Sequence, residues 1–226
     1  MGEMIEFPSN GSTDSGYLAA PPSGSGPGVV VIQEWWGLVP HIKDVCERFA
    51  SAGFFALAPD LYRGKQVSEP DEAGKEMMAM QLDRAGKDMS GAVDELRRRS
   101  GSDEVGVVGF CMGGGLALVL ATQRPDAVKA CVAFYGVIPW PDAQPDYAQM
   151  GADVLAHIAE LDGFFGPDAA NALEAQLTAL GKNTEFHHYR GVDHAFFNDT
   201  RPEVYDAAAS ALAWERTIVF LHDRLG

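Results

Sequence analysis

At 226 residues, 46% hydrophobic and 22% charged, the chain can bury a sizeable core and reads as one globular α/β domain over 1–226. Its formal charge of −15, from 17 basic against 32 acidic residues, argues against nucleic acid as a partner, because phosphate binding needs clustered Lys and Arg. A small anionic substrate stays open, since a screening length of about 8 Å lets one or two cations in a cleft outweigh distant acidic residues. No run reaches the roughly 18 apolar residues of a membrane span, and the N-terminus lacks the basic and apolar regions of a cleaved signal. Cys46, Cys111 and Cys131 cannot all pair. The expectation is a reduced, cytoplasmic protein without membrane contact, a monomer or small homo-oligomer.

In chain order, residues 1–27 are rich in Gly, Ser and Pro around a short Ile5–Phe7 stretch, which predicts a hairpin or edge strand and a loop. Val29–Ile32 is a continuous β-branched run suited to a strand buried on both faces. His41–Ala52 carries apolar residues at helical spacing, and Phe54–Ala58 is the next strand. A polar loop over Arg63–Asp71 leads into a helical stretch, Glu72–Arg99, with a break predicted near Gly86 or Gly91. Further strands are expected at Val105–Val108, Ala130–Tyr135, Val154–Ile158 and Glu185–Tyr189. Helices at Leu116–Thr122, Asp168–Leu180 and Glu203–Arg224 alternate with them. That alternation predicts a mostly parallel central sheet with helices on both faces.

The chemistry concentrates after the strands, where such sheets place their ligands. Gly109-Phe110-Cys111-Met112-Gly113 joins an apolar strand to a helix starting at about Met112, which is the setting of a nucleophile elbow with cysteine in the usual place of serine. So tight a turn strains the backbone of its central residue and needs glycines beside it. The helix N-terminus then directs unpaired N–H groups at the Cys111 sulfur.

Gln33-Glu34-Trp35-Trp36-Gly37 follows Val29–Ile32, Glu160-Leu161-Asp162-Gly163 follows Val154–Ile158, and Gly191-Val192-Asp193-His194-Ala195-Phe196-Phe197 follows Glu185–Tyr189. With Cys111 these supply the chain order nucleophile, acid, histidine of the α/β-hydrolase triad. His194 is the candidate base, because imidazole can take and return a proton near neutral pH. Asp162 is the candidate to orient it, with Asp193 and Asp168 as alternatives. His157, His187 and His188 lie in strand patterns that packing or solvent accounts for. The backbone amides of Met112 and Trp35 are the expected oxyanion donors. Glu34, between a β-branched strand and two tryptophans, is a carboxylate that calls for a partner.

These pieces, with Ala58-Pro59-Asp60-Leu61-Tyr62 and Phe134-Tyr135-Gly136, run in order through nearly the whole chain. Together they resemble the dienelactone hydrolase family of α/β hydrolases. The resemblance implies a Cys111, Asp162, His194 triad cleaving a small lactone or carboxylic ester, with no metal or organic cofactor. It further implies that Glu34 interacts with the thiol and helps generate the thiolate when substrate binds. A general carboxylesterase or thioesterase of the same fold is the alternative, and a non-catalytic thiol-bearing relative a more distant one.

The chain departs from the family in its carboxylate grip. Two arginines hold the substrate carboxylate in the best-known members; the position four residues after His194 is here Asn198, and the helical segment before the elbow reads Asp71-Glu72-Ala73-Gly74-Lys75-Glu76. Lys75, Arg84 and Arg201 are the candidate replacements, although lysine lacks the planar fork that pairs with carboxylate in two bonds. Trp35, Trp36, Phe110, Tyr135, Phe196 and Phe197 are expected either to line an apolar pocket for a less charged ester or to be ordinary core.

Overall fold

The computed structural model describes residues 2–9, 11–136 and 138–226 and arranges the strands in one sheet. Strands β1 (Glu3–Ser9) and β2 (Ser12–Ala19) form an antiparallel hairpin at one edge. The other six are β3 (Gly28–Ile32), β4 (Phe55–Pro59), β5 (Val105–Phe110), β6 (Val128–Phe134), β7 (Asp153–Ala159) and β8 (Thr184–Tyr189). They run parallel in the order β1-β2-β4-β3-β5-β6-β7-β8, with β2 antiparallel to β4. The helices are α1 (Pro40–Ser51), α2 (Pro70–Ala79), α3 (Leu82–Ser100), α4 (Met112–Gln123), α5 (Pro167–Ala179) and α6 (Ala207–Leu225).

Side-chain alternation on the central strands builds the layers. On β3, Val30 and Ile32 join Leu96 of α3 and Leu116 of α4 in the core on one face, while Val29 and Val31 join Ile42 of α1 and Leu221 of α6 on the other. All four β3 side chains are fully buried, each worth about 1.5–3 kcal/mol of hydrophobic stabilisation. The order reverses between β3 and β5: the chain leaves β3 toward β4 on one side and β5 toward β6 on the other. A crevice therefore opens at the carboxyl ends of these two strands.

The expected N-terminal hairpin forms, with Ser12–Ala19 as its second strand: Ser12, Thr13, Ser15 and Tyr17 are exposed or half-exposed, while Asp14, Leu18 and Ala19 are buried. One expectation needs correction. The long helical stretch breaks at Met80–Gln81 and not at Gly86 or Gly91. Met77 O, at the end of α2, accepts from both Met80 N (3.3 Å) and Trp140 Nε1 (3.2 Å), a tertiary bond that helps close α2 there. Gly91 instead serves close packing, because a Cβ there would stand 2.6 Å from Pro8 O on β1.

Asp14, on β2, is 4% exposed and its Oδ2 has no hydrogen-bond partner. Burial, with Asp88 and Asp60 nearby, outweighs the hydrogen bond from the Ser15 amide and the charge of Arg63 and pushes its pKa up to about 6. The folded state thus binds a proton that the unfolded chain has already lost above pH 4. This contribution to stability is greatest at low pH and declines as pH rises through about 6. Asp14→Asn is expected to stabilise the protein at pH 8 by up to about 3 kcal/mol and to add little near pH 4. Urea denaturation at both pH values checks this, and an equal gain at both would exclude the titration of Asp14 as its cause.

Candidate active site

Cys111 caps α4 at the end of β5 with φ 57° and ψ −123°, a left-handed conformation that costs a non-glycine residue about 1–3 kcal/mol. The turn is possible because its neighbours lack side chains. A Cβ on Gly109 would lie 1.9 Å from Gly113 O, and one on Gly113 would lie 2.4 Å from Gln33 O. The elbow is therefore wedged directly against the β3 loop that carries Glu34. Cys111 is half-buried and free, whereas Cys46 and Cys131 are fully buried and their thiols are pushed up by desolvation.

His194 reaches the same point from the loop after β8, where Ala195 adopts φ 64° to turn the chain. Its Nδ1 lies 2.8 Å from Asp162 Oδ2 in the loop after β7. Asp162 Oδ1 accepts from the amides of Phe164 (2.7 Å) and Phe165 (3.0 Å), so both carboxylate oxygens are held. Burial alone would raise Asp162, but the bond from His194 and these two amides outweigh it and hold the carboxyl below its ordinary value. For His194 burial disfavours the imidazolium, yet hydrogen bonding to Asp162 and to Cys111 together raise its pKa to about 10. Of the alternative acids, Asp193 accepts from the His194 amide at 2.7 Å in its own turn, and Asp168 is exposed on the first turn of α5.

The histidines of β7 and β8 are structural or peripheral. His157 is fully buried between Tyr189 Oη (2.8 Å) and Thr217 Oγ1 (3.0 Å), where burial depresses its pKa far below the ordinary value. His187 is half-buried and His188 exposed.

Glu34 is 1% exposed, and desolvation raises its pKa despite the opposing influence of His41, Asn198, His194 and Arg201. Its Oε2 accepts from Asn198 Nδ2 at 2.7 Å, and its Oε1 has no partner. Among the described residues, no hydrogen bond joins Glu34 to Cys111, the contact that the family resemblance implies.

A cavity of about 280 Å³ opens beside the sulfur. Glu34, Trp35, Trp36, Cys111, Met112, His194 and Arg201 line it, as do Met77, Phe164, Asp193, Ala195 and Val204. Its surface is mostly apolar, and Arg201 supplies a cation, stacked 5.4 Å from the Trp36 ring and bonded to Glu203 at 2.8 Å. The amides of Met112 and Trp35 belong to residues of this wall, and Met112 begins α4, whose first-turn N–H groups have no partner within the helix.

Several expected pocket residues lie elsewhere. Phe110, Tyr135 and Phe196 are fully buried in the core on the α1 and α6 face, with Phe110 stacked on Phe197 at 5.4 Å. Phe110 exits the sheet on the same face as Val108, away from the crevice. Lys75 is exposed on α2 and does not line the cavity. Arg84 lines a separate cleft of about 170 Å³ and pairs with Asp88 at 3.9 Å. Asn198 is buried behind the wall as the partner of Glu34. Met77, Phe164 and Val204, by contrast, carry no local signal in the sequence; folding alone brings α2, the Asp162 loop and the segment before α6 around Cys111.

A mostly parallel sheet crossed by helices on both faces, with a strained residue at the β5 elbow and an acid bonded to histidine beyond β7 and β8, is the arrangement of an α/β hydrolase. The sequence profile of the dienelactone hydrolase family matches residues 15–225, and the chain belongs to that family of hydrolases. It is 35% identical over 233 residues, 97% of each chain, to an Aquifex aeolicus protein named "putative carboxymethylenebutenolidase". It is 31% identical over 233 residues to a Bradyrhizobium protein named "probable 2-oxo-3-(5-oxofuran-2-ylidene)propanoate lactonase", covering 97% of this chain and 93% of that one. The crystal structure of a "putative dienelactone hydrolase" from Klebsiella pneumoniae superposes with a TM-score of 0.89 at 26% identity over 98% of each chain.

Proposed function

We propose that this hydrolase cleaves a small lactone or carboxylic ester through Cys111, His194 and Asp162. The observation that carries this reading is the Asp162–His194 bond of 2.8 Å beside a cavity that also contains the strained Cys111. His194 holds the proton of the Cys111 thiol as the sulfur attacks the carbonyl carbon, and the resulting oxyanion is held by the Met112 and Trp35 amides. Collapse breaks the carbon–oxygen bond; His194 protonates the departing alkoxide and leaves a thioester on Cys111. His194 then takes a proton from water as its oxygen attacks the thioester; cleavage of the carbon–sulfur bond releases the acid, and His194 returns the proton to the departing sulfur. With a lactone the alcohol stays tethered and the product is a hydroxy acid. Asp162 orients the ring and stabilises its charge. Glu34 lies in the cavity wall, and its carboxyl, raised toward the neutral form, does not oppose negative charge on sulfur. No step calls on a metal or cofactor, and three free cysteines suit a reducing compartment such as the cytoplasm.

The cavity is near the lower end of ligand-pocket sizes, about 300 Å³, which favours a compact substrate. Arg201 is the cation available there to a carboxylate, but it is already engaged by Glu203, which favours neutral esters and lactones over an anionic one. Turnover of dienelactone, a neutral lactone, p-nitrophenyl acetate and a longer-chain ester should be compared in the protein and in Cys111→Ala. The expected result is hydrolysis of the neutral lactone and the short ester that disappears in Cys111→Ala. Turnover surviving that substitution would sink the reading.

A further inference from the structure

A buried carboxyl beside a reactive thiol is a hazard, because in its ionised form it repels a thiolate. Here the side chain of Glu34 is gripped from behind. We propose, building on the reading of Cys111 as nucleophile, that Asn198 is a positioning residue that pins Glu34 off the thiol, so that Cys111 is partnered by His194 before substrate arrives.

The grip is rigid. Asn198 is 2% exposed, and its Oδ1 accepts from both Thr200 N (3.1 Å) and Thr200 Oγ1 (2.7 Å). With the carbonyl end occupied by two donors, the amide cannot flip, and Nδ2 must face Glu34 Oε2 at 2.7 Å. The backbone is tied on both sides, Asn198 N to Ala195 O at 2.9 Å and Arg201 N to Asn198 O at 3.0 Å. The next residue, Asp199, lies 3.3 Å from Nδ1 of the buried His41 and also pairs with Arg48 of α1. The turn that presents Asn198 is thus anchored to the helix behind the site.

The chemistry of the donor matters as much as its place. An asparagine orients a carboxyl without adding the positive charge that would favour its ionisation. The charged or titratable groups acting on Glu34, namely His41, His194 and Arg201, are outweighed by its desolvation. Held this way, Glu34 neither bonds nor opposes the sulfur, and the His194 side chain is left to act on Cys111. Activation by a substrate-driven movement of Glu34, as the family resemblance implies, is then unnecessary in this chain.

Alkylation of Cys111 by iodoacetamide in the intact, substrate-free protein tests this, because Cys46 and Cys131 are buried and the reaction reads the thiol directly. Asn198→Leu frees Glu34 to turn onto the sulfur and is expected to slow alkylation at pH 7 at least fivefold. Adding Glu34→Gln to that variant should return the rate to within twofold of the unmodified protein. Thr200→Val, which loosens the amide but keeps it, should slow alkylation in the same direction and serves if Asn198→Leu does not fold. Variants that fold and react at the original rate, or a slowing that Glu34→Gln does not reverse, would overturn the proposal. The readout is separate from turnover: hydrolysis surviving in Cys111→Ala would refute the hydrolytic reading, whereas the alkylation pattern decides the positioning.

Discussion

His194→Gln is expected to lower kcat/KM for an ester by about 10³-fold, within the range that positioned acid–base catalysis supplies. That factor is about 4 kcal/mol of transition-state stabilisation. Glutamine keeps a polar side chain of similar reach but cannot carry a proton from sulfur to the leaving oxygen. In the proposed reaction the imidazole does so, held by Asp162 Oδ2 at Nδ1 (2.8 Å) and hydrogen-bonded to Cys111. With the His194 pKa raised to about 10, the ring keeps its proton across neutral pH. Activity should therefore hold level from about pH 7 to 9 and fall as pH passes about 10, where the imidazolium loses its proton. A steady-state pH profile of kcat/KM, taken with the variant, measures both. Retention of a tenth of the activity by His194→Gln would remove the residue from the reaction.

Gly109→Ala should be severely damaging. The added methyl carbon would meet Gly113 O at 1.9 Å, Gly113 C at 2.3 Å and Gly114 N at 2.8 Å, all of them backbone. No rotamer can relieve the contact, so β5 and α4 must part and the Cys111 turn must open. A loss of about 4 kcal/mol or more is expected, at the extreme of single-residue effects. Gly74→Ala supplies the control: it lies within α2, and a Cβ there meets nothing within 4 Å. That change should stabilise the protein by up to about 1 kcal/mol through helix propensity. Urea denaturation of the three proteins separates backbone collision from loss of glycine as such. A Gly109→Ala protein as stable as the parent would mean that the elbow tolerates a wider turn.

The elbow was legible in the sequence because its causes are local. An apolar strand, two glycines, a cysteine between them and a helix start all fall within a few residues, and the strained φ at Cys111 follows from their spacing. The Asp162 and His194 loops were legible to a lesser degree, as polar residues immediately after strands. The choice between Asp162, Asp193 and Asp168 was not a local matter. It depends on which loops meet at the carboxyl edge of the sheet, and only the 2.8 Å bond to His194 selects Asp162.

By itself the sequence determined the alternation of strands and helices, the parallel core and the position of the cysteine at the elbow, since hydrophobic period and glycine placement act over a few residues. Tertiary structure decided the break between α2 and α3, the cavity wall and the partner of Glu34. Met77, Phe164 and Val204 come from separate elements, and Phe110, Tyr135 and Phe196 turn inward because of the face on which each side chain leaves its strand or loop. Asn198 and Glu34 stand 164 residues apart, and no pattern along the chain records that their side chains meet at 2.7 Å. Such a contact is set by the packing of two loops on a finished sheet, where distance along the chain no longer limits which groups touch.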